Sequence, residues 1–270
     1  MMPTKKLLTA VVAGLLTAAC GVGGASTIAH QGTLRIGVKF DQPLIGLRDA
    51  HGNFTGFDVD VATYVAKKLG ATPVFVPVTL AQRPQFLTDH KVDMVVASYS
   101  ITQDRKTAVT FAGPYYVAHQ DIMVRAQDTA VHTVHDLAGR TLCAVAGADS
   151  ALRVTDEMKV AAKLVPGQSD RDCMGKLAAG QIDAVSTDDV IMAGLASLWK
   201  PGTFRLVRAP FTDERMGIGL PHGDIEACED VNKAITDMFL DGTAARLLHK
   251  WFDASGLQPT TTVPQFEGCG

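Results

Sequence analysis

The chain is short of the features that mark most catalysts and most nucleic-acid binders. Its 25 lysines and arginines stand against 28 acidic residues, a formal net charge of −3. Such a composition advertises no basic face for phosphate backbones, so nucleic acid is not an expected partner. No G-x-S-x-G elbow, no glycine-rich P-loop and no H-E-x-x-H metal helix occurs in it. None of its five cysteines falls in a C-x-x-C pair, which argues against a zinc site. His132 and His135 have the spacing of a helical metal pair but no third ligand close by, and they read as a solvated surface pair. The N-terminal apolar run, Leu7 to Leu16, is too short to cross a bilayer, for which roughly 20 residues are needed. No cofactor, no metal and no catalytic residue is expected.

What is present is enough apolar side chain, 47% of 270 residues, to bury one large core or two modest ones. Met1 to Lys6 is a short basic start, the apolar run follows, and Thr17-Ala18-Ala19-Cys20 supplies small residues before a cysteine. That order is a signal peptide over residues 1–20. The stretch resembles a lipoprotein box, in which Cys20 is acylated and becomes the mature first residue, although Thr17 stands where that pattern prefers leucine. Residues 21–31 then form a flexible tether, and the protein is expected outside the cytoplasm, held to the cell membrane by lipid. Export leaves Cys143, Cys173, Cys228 and Cys269 in an oxidising compartment, with three possible pairings. Cys143 with Cys173 and Cys228 with Cys269 is the favoured one, each closing a loop of roughly thirty to forty residues worth about 3–4 kcal/mol on a chain-entropy model.

Along the chain, Thr33 to Val38 alternates as a strand, and Phe57 to Leu69 places Phe57, Val61, Tyr64, Val65 and Leu69 on one helical face. A strand at PVFVPV, a short helix through Phe86 and Leu87, and a strand from Asp93 follow. The rhythm restarts with TLCAV at Thr141, a helix from about Asp149, KLV at Lys163, a helix through Met174 and Leu177, and IDAVS at Ile182. Strand and helix in alternation make a parallel sheet covered by helices. Met216 to Leu220 is a buried-strand run, and Ile225 to Trp251 reads as two helices broken near Gly242. These last elements are too few for a third lobe and fit a return to the first. The expected organisation is lobe 1 from residues 32–121 plus 217–252, lobe 2 from residues 122–216, and a C-terminal tail from residues 253–270. Two crossings, near His119 to Met123 and near Asp213 to Gly217, form a hinge, with the ligand site in the cleft at the carboxyl ends of the strands.

Three separated stretches carry a resemblance. RIGVKFDQPLIGL with GNFTGFDVDVATYVAKKLG, then SYSITQDRKTAVTFAGPYY from Ser98, then GQIDAVSTDDVIMAG from Gly180 are similar to the signature regions of the family 3 extracellular solute-binding proteins. That family comprises the polar amino-acid receptors of ABC importers and has the type II periplasmic-binding-protein fold, an α/β fold of two lobes joined by a two-crossing hinge. The resemblance spans Thr33 to Trp251. KFDQP, the lipoprotein box and the positions of Cys143 and Cys173 look most like the glutamate-binding lipoproteins.

The site follows from chemistry and resemblance together. The strand from Asp93 delivers Ser98 and Ser100 into the cleft, and the turn through Thr102 sets Arg105 beside them. A guanidinium fork with hydroxyl and backbone N–H groups matches an α-carboxylate, and the resemblance implies that role. It also implies that Asp188 accepts the α-ammonium. Asp189 is then left to cap the next helix, while Thr187, beside Asp188, is expected among the ligand-binding residues. Arg83 and Lys39 occupy positions like those where acidic-amino-acid receptors keep basic residues, so they are expected to meet a side-chain carboxylate. Arg48 reads as a turn residue. On closure the Gly147 turn and Asp188 come down over the ligand. Asp149 is expected to cap a helix; were its carboxylate to face the cleft it would favour glutamine or asparagine. The expected function is an extracytoplasmic, lipid-anchored, monomeric receptor that delivers glutamate or aspartate to a permease and its ATPase. A glutamine or asparagine receptor is the alternative, and a dehydratase of this fold, needing a general acid such as Asp188 or Asp149, is the runner-up of another class.

Overall fold

The computed structural model describes Ile28, residues 31–257 and residues 259–270. The expected signal peptide, Cys20 and all of the expected tether but Ile28 and Gln31 lie outside the described residues. In chain order the strands and helices are β1 (Thr33–Val38), β2 (Asp41–Gln42), β3 (Gly46–Arg48), β4 (Phe54–Thr55), α1 (Phe57–Lys68), β5 (Thr72–Pro77), α2 (Gln82–Thr88), β6 (Met94–Val96) and α3 (Gln103–Lys106). Then come β7 (Thr110–Arg125), β8 (Thr141–Val145), α4 (Ser150–Leu152) continued by a π-helical turn (Arg153–Glu157), β9 (Lys163–Gly167), α5 (Asp170–Ala178), β10 (Ala184–Asp188) and α6 (Asp189–Ala196). The chain ends with β11 (Phe204–Leu206), β12 (Thr212–Leu220), α7 (Ile225–Leu240) and α8 (Thr243–Phe252).

The two lobes share one nine-stranded sheet, ordered β5-β1-β6-β12-β7-β10-β8-β9, with β11 on β7. Parallel β1, β5 and β6 lie at one end, and parallel β8, β9 and β10 at the other. Between them β7 and β12 run antiparallel, from Thr110 against Leu220 to Gln120 against Thr212, with a register shift between Met216 and Ile218. The 16 residues of β7 pass from the first lobe into the second without a break, so both crossings belong to the sheet rather than to loops. Strand identity follows from burial: Leu34, Ile36 and Val38 are closed off from solvent, while Thr33 and Arg35 alternate outward. Helix α7 sets Ala227, Val231, Ala234, Ile235 and Met238 inward and is capped by the Asp224 side chain accepting from Ala227 N–H. Gly242, in the left-handed conformation at φ 74°, separates α7 from α8.

Two disulfides tie distant elements. Cys143 of β8 is bonded to Cys173 of α5, and Cys228 of α7 to Cys269 near the C-terminus, each with Cα atoms 5.8 Å apart. A small three-stranded sheet, β2-β3-β4, was not expected from the sequence, because two of its strands are only two residues long.

Candidate functional site

Lobe 1 brings its polar groups to the carboxyl end of β6. Ser98 takes a left-handed backbone, φ 46°, a conformation that is strained by about 1–3 kcal/mol for a residue other than glycine. Three side chains hold it there. Asp58, buried in the first turn of α1, accepts the Ser98 N–H at 2.8 Å; Arg83 donates to the Ser98 carbonyl at 2.6 Å; Gln42 accepts from the Ser98 hydroxyl at 2.8 Å. Arg83 also donates to the carbonyls of Leu80 at 3.0 Å and Ala97 at 3.1 Å. Burial, then the nearby Arg105, pull its guanidinium down to about 9, which still leaves it charged at neutral pH. Tyr99 lies between the two arginines, its ring centre 4.2 Å from the Arg83 guanidinium and 5.1 Å from that of Arg105. Arg105 follows the Thr102 cap of α3, whose hydroxyl accepts the Arg105 N–H at 3.3 Å, and donates to the Ser100 carbonyl at 2.9 Å.

Asp58 yields a pH prediction. Burial pushes its carboxyl from the ordinary 3.8 up to about 6, against hydrogen bonds from Tyr115 and Ser98 and the charge of Arg83. The folded state therefore holds this proton more tightly than the unfolded state, so Asp58's contribution to stability is lost as pH rises from about 4 to 6, by ~3 kcal/mol in all. Asp58→Asn lacks that term. Urea unfolding at pH 3.5 and pH 7 should show the variant gaining on wild type by about that amount; parallel pH profiles would refute the assignment.

Lobe 2 contributes the ends of β10 and α5 and the turn opening α4. Asp188 and Thr187 are buried. The Asp188 carboxylate has no hydrogen-bond or ion-pair partner among the described residues, and it makes no cap bond to α6. Burial first, and then the charges of Glu214, Asp189 and Asp170, push it well above the usual carboxylate range. The helix-start role falls instead to Asp189, whose Oδ1 accepts from Val190 N–H at 2.8 Å. Asp170 accepts from Gln42 at 2.7 Å, and burial raises it too. Glu214, on the crossing strand β12, pairs with Arg153 at 3.0 Å and accepts from Thr212 at 2.7 Å.

Gln42, Arg83, Ser98 and Arg105 from lobe 1 and Asp170, Thr187 and Asp188 from lobe 2, with Glu214, line one cavity between the lobes, with a volume of about 30 Å³. That is room for a water or two rather than for an amino acid, because the lobes meet across it. Gly147 receives Arg83 at 2.8 Å and Arg105 at 3.1 Å on its carbonyl, and Asp149 pairs with Arg105 at 2.9 Å. Asp149, expected to cap α4, makes no cap bond; its carboxylate is committed to Arg105 and lines the cavity. The lining charges are three arginines, Arg83, Arg105 and Arg153, against four carboxylates, Asp149, Asp170, Asp188 and Glu214.

Two glycines permit the close approach. A Cβ on Gly147, at φ 83°, would lie 2.5 Å from the Ala81 nitrogen, and one on Gly194 of α6 would lie 2.1 Å from the Pro43 carbonyl oxygen of lobe 1. Gly194 is not at positive φ, so alanine there fits its own helix and clashes only across the cleft. Gly194→Ala is expected to disfavour the meeting of the lobes and so to weaken ligand binding at least tenfold. Small-angle scattering should show a more open ligand-saturated state; an unchanged affinity would refute a role for this seam in closure.

Of the residues singled out in the sequence, Arg105, Arg83, Ser98, Ser100, Thr187 and Asp188 line this cavity. Gly147 contributes its carbonyl to both arginines. Lys39 does not line the cavity; it is buried, with its ammonium 2.8 Å from Asp41. Arg48 is exposed, 3.4 Å from the Gly52 carbonyl. Gln42, Asp58, Gln120, Arg153, Asp170 and Glu214 were not anticipated. Gln42 lies within KFDQP and was the one legible from its motif; the others are placed by tertiary packing. Among the described residues no group of His, Cys, Asp and Glu could hold a metal ion, and no helix is long and apolar enough to cross a membrane.

Residues 34–254 match the model of the bacterial extracellular solute-binding proteins, family 3. The glutamate-binding protein GluB of Corynebacterium glutamicum is 36% identical over 254 residues, covering 88% of this chain and 85% of that protein. The ABC transporter glutamine-binding protein GlnH of Bacillus subtilis is 30% identical, over 90% of this chain and 94% of its own length. Among solved structures, an ancestral arginine-binding protein bound to arginine superposes with a TM-score of 0.77 at 31% identity, covering 82% of this chain and 99% of that one.

Proposed function

The chain belongs to the bacterial extracellular solute-binding proteins of family 3, and from that premise we propose that it captures glutamate in the inter-lobe cleft and presents it to the permease and ATPase of an ABC importer. The observation that carries the reading is the buried Asp188 carboxylate, which has no hydrogen-bond or ion-pair partner among the described residues and shares a cavity with Arg105. A zwitterion supplies what each lacks: an ammonium for Asp188 and a carboxylate for Arg105. On this reading Ser98, Ser100 and Arg105 receive the α-carboxylate as Asp149 gives up its place on the guanidinium, while Asp188 with Thr187 takes the ammonium. Ligand contacts made by both lobes then favour the closed form. Arg83 and, from outside the cavity lining, Lys39 contribute positive charge toward a side-chain carboxylate. The 36% identity to a protein named for glutamate supports that choice. We propose further that Cys20 carries a lipid that keeps the receptor at the membrane.

A second reading, a glutamine or asparagine receptor, is favoured by one observation: Asp149 faces the cavity, and the lining carboxylates outnumber the arginines. A ligand of net charge −1 adds to that excess, and an amide does not. The deciding experiment is a thermal-shift screen of the mature protein against the twenty amino acids, followed by calorimetry with glutamate and glutamine. A ligand that binds only the native state raises melting by mass action. Preference for glutamate supports the proposal, preference for glutamine supports the second reading, and no shift with any amino acid overturns both.

A further inference from the structure

The C-terminal strap, residues 259–270, reaches the helix that carries Arg105 through one side chain. Glu267 places one carboxylate oxygen 3.1 Å from Lys106 and the other 2.6 Å from Arg215. Lys106 is the last residue of α3 and the neighbour of Arg105. Arg215 lies on the crossing strand β12 opposite Val117 of β7, and its carbonyl accepts the Ile101 N–H at 2.8 Å, between Ser100 and the Thr102 cap. Arg215 also donates to the Gln265 carbonyl. The strap is itself held on both sides of these contacts. The Glu267 N–H donates to the Gly113 carbonyl at 2.9 Å, and Cys269, two residues on, is bonded to Cys228 of α7.

Helix α3 is otherwise held by its Thr102 cap and by the side chain of Arg105, which reaches Ser100, Gly147 and Asp149. It is four residues long with none of them buried, far below the length at which a helix supports itself in water. Its C-terminal side rests on the Lys106, Thr107, Ala108 and Val109 N–H groups donating back to the carbonyls of Thr102, Asp104, Arg105 and Arg105. A single turn of this kind frays unless something outside it fixes its end, and the bridge from Lys106 through Glu267 to Arg215 joins that end to the two central strands.

We propose that the C-terminal strap is part of the binding machinery, with Glu267 a positioning residue that sets α3 and thereby aims Arg105 into the cleft. The proposal rests on Arg105 being the carboxylate anchor. Arg105 needs its fork within a narrow angular range to make two bonds to one carboxylate, so a loosened α3 lowers affinity while the fold persists.

The test uses the mature protein with both disulfides intact and L-glutamate, L-glutamine and L-arginine as probes. Glu267→Gln removes the charge and keeps the shape. Hydrogen exchange should show the amides of residues 106–109 opening about fivefold faster, and calorimetry should show the preferred probe binding about fivefold more weakly. The same substitution in an Arg105→Lys background should cost less than about twofold, because the residue it acts through has already lost its fork. Equal penalties in the two backgrounds, or unchanged affinity and exchange, would overturn the proposal. Should Glu267→Gln not fold, Lys106→Gln, which leaves the Arg215 bridge and the Cys228–Cys269 bond in place, carries the same comparison. If the wild type binds none of the probes, the ligand reading fails by itself; faster exchange in residues 106–109 then supports the positioning role and unchanged exchange overturns it.

Discussion

Arg105→Ala is expected to remove amino-acid binding from a protein that still folds. The side chain is mostly enclosed, yet its protein partners do not depend on it. Ser100 lines the polar cavity, the Gly147 carbonyl keeps its bond from Arg83 at 2.8 Å, and Asp149, 36% exposed, is solvated when its partner is gone. Melting of the ligand-free variant should therefore stay within about 1 kcal/mol of wild type. Binding has no such compensation. Removing one partner of a charged, hydrogen-bonded pair from a closed cleft costs about 2–5 kcal/mol, and here the truncation also leaves Asp149 facing the incoming α-carboxylate. The net effect is a loss of about thirtyfold to several-thousandfold in affinity, measured by calorimetry with the amino acid that shifts wild-type melting most. A folded Arg105→Ala protein with affinity within tenfold of wild type would show that the anchor lies elsewhere, with Arg83 or Arg153 as the remaining cavity arginines.

The main elements were legible because each is declared by a local pattern. The strand at Thr33–Val38 alternates, and the α1 face from Phe57 to Val65 has helical spacing. The break between α7 and α8 falls on Gly242, whose φ of 74° suits glycine. The continuity of β7 was not legible. Gly113-Pro114 and the polar residues His119, Gln120 and Asp121 interrupt its apolar run, and only pairing to β12 on one side and β10 on the other makes it one strand. The site divides the same way. Ser98 and Asp188 stand at strand ends and Arg105 on the short helix α3, all inside recognisable motifs. Gln42 and Asp170 meet across 128 residues of sequence, and Glu214 meets Arg153 from a crossing strand that reads as plain β. Asp58 looks in the sequence like an acidic first-turn residue favoured by the helix dipole; that it fixes the backbone of Ser98, forty residues away, is visible only in three dimensions. Lys39, near a strand end, was expected at the cleft; packing buries it outside the cavity lining, on Asp41, from where its charge still reaches Asp170.

Asp188→Asn is expected to move stability and binding in opposite directions. In the ligand-free protein the ionised carboxylate is buried beside Glu214, Asp189 and Asp170 with no hydrogen bond among the described residues, which is an unfavourable place for a negative charge. Its proton is held more tightly folded than unfolded, so Asp188 opposes folding increasingly as pH rises through the range between its two affinities and stays unfavourable above it. Asparagine removes the charge and keeps the volume. The ligand-free variant should be more stable than wild type at pH 7 by about 1–3 kcal/mol, and the advantage should shrink as the pH is lowered and wild-type Asp188 becomes neutral. Binding should go the other way, by about 2–5 kcal/mol, because an amide oxygen offers the α-ammonium a hydrogen bond without a counter-charge. Glu214 remains nearby, but its carboxylate is held by Arg153 and Thr212 and does not substitute. Denaturation at pH 5 and pH 8 without ligand, set beside calorimetry at pH 7, reads both arms. A variant that is destabilised would mean that Asp188 has a structural partner, and a stabilised variant with wild-type affinity would mean that its charge is not read by the ligand. Opposite signs together are what separates a carboxylate kept for a ligand from one kept for the fold, since a residue serving the fold alone gives no gain in stability when its charge is removed.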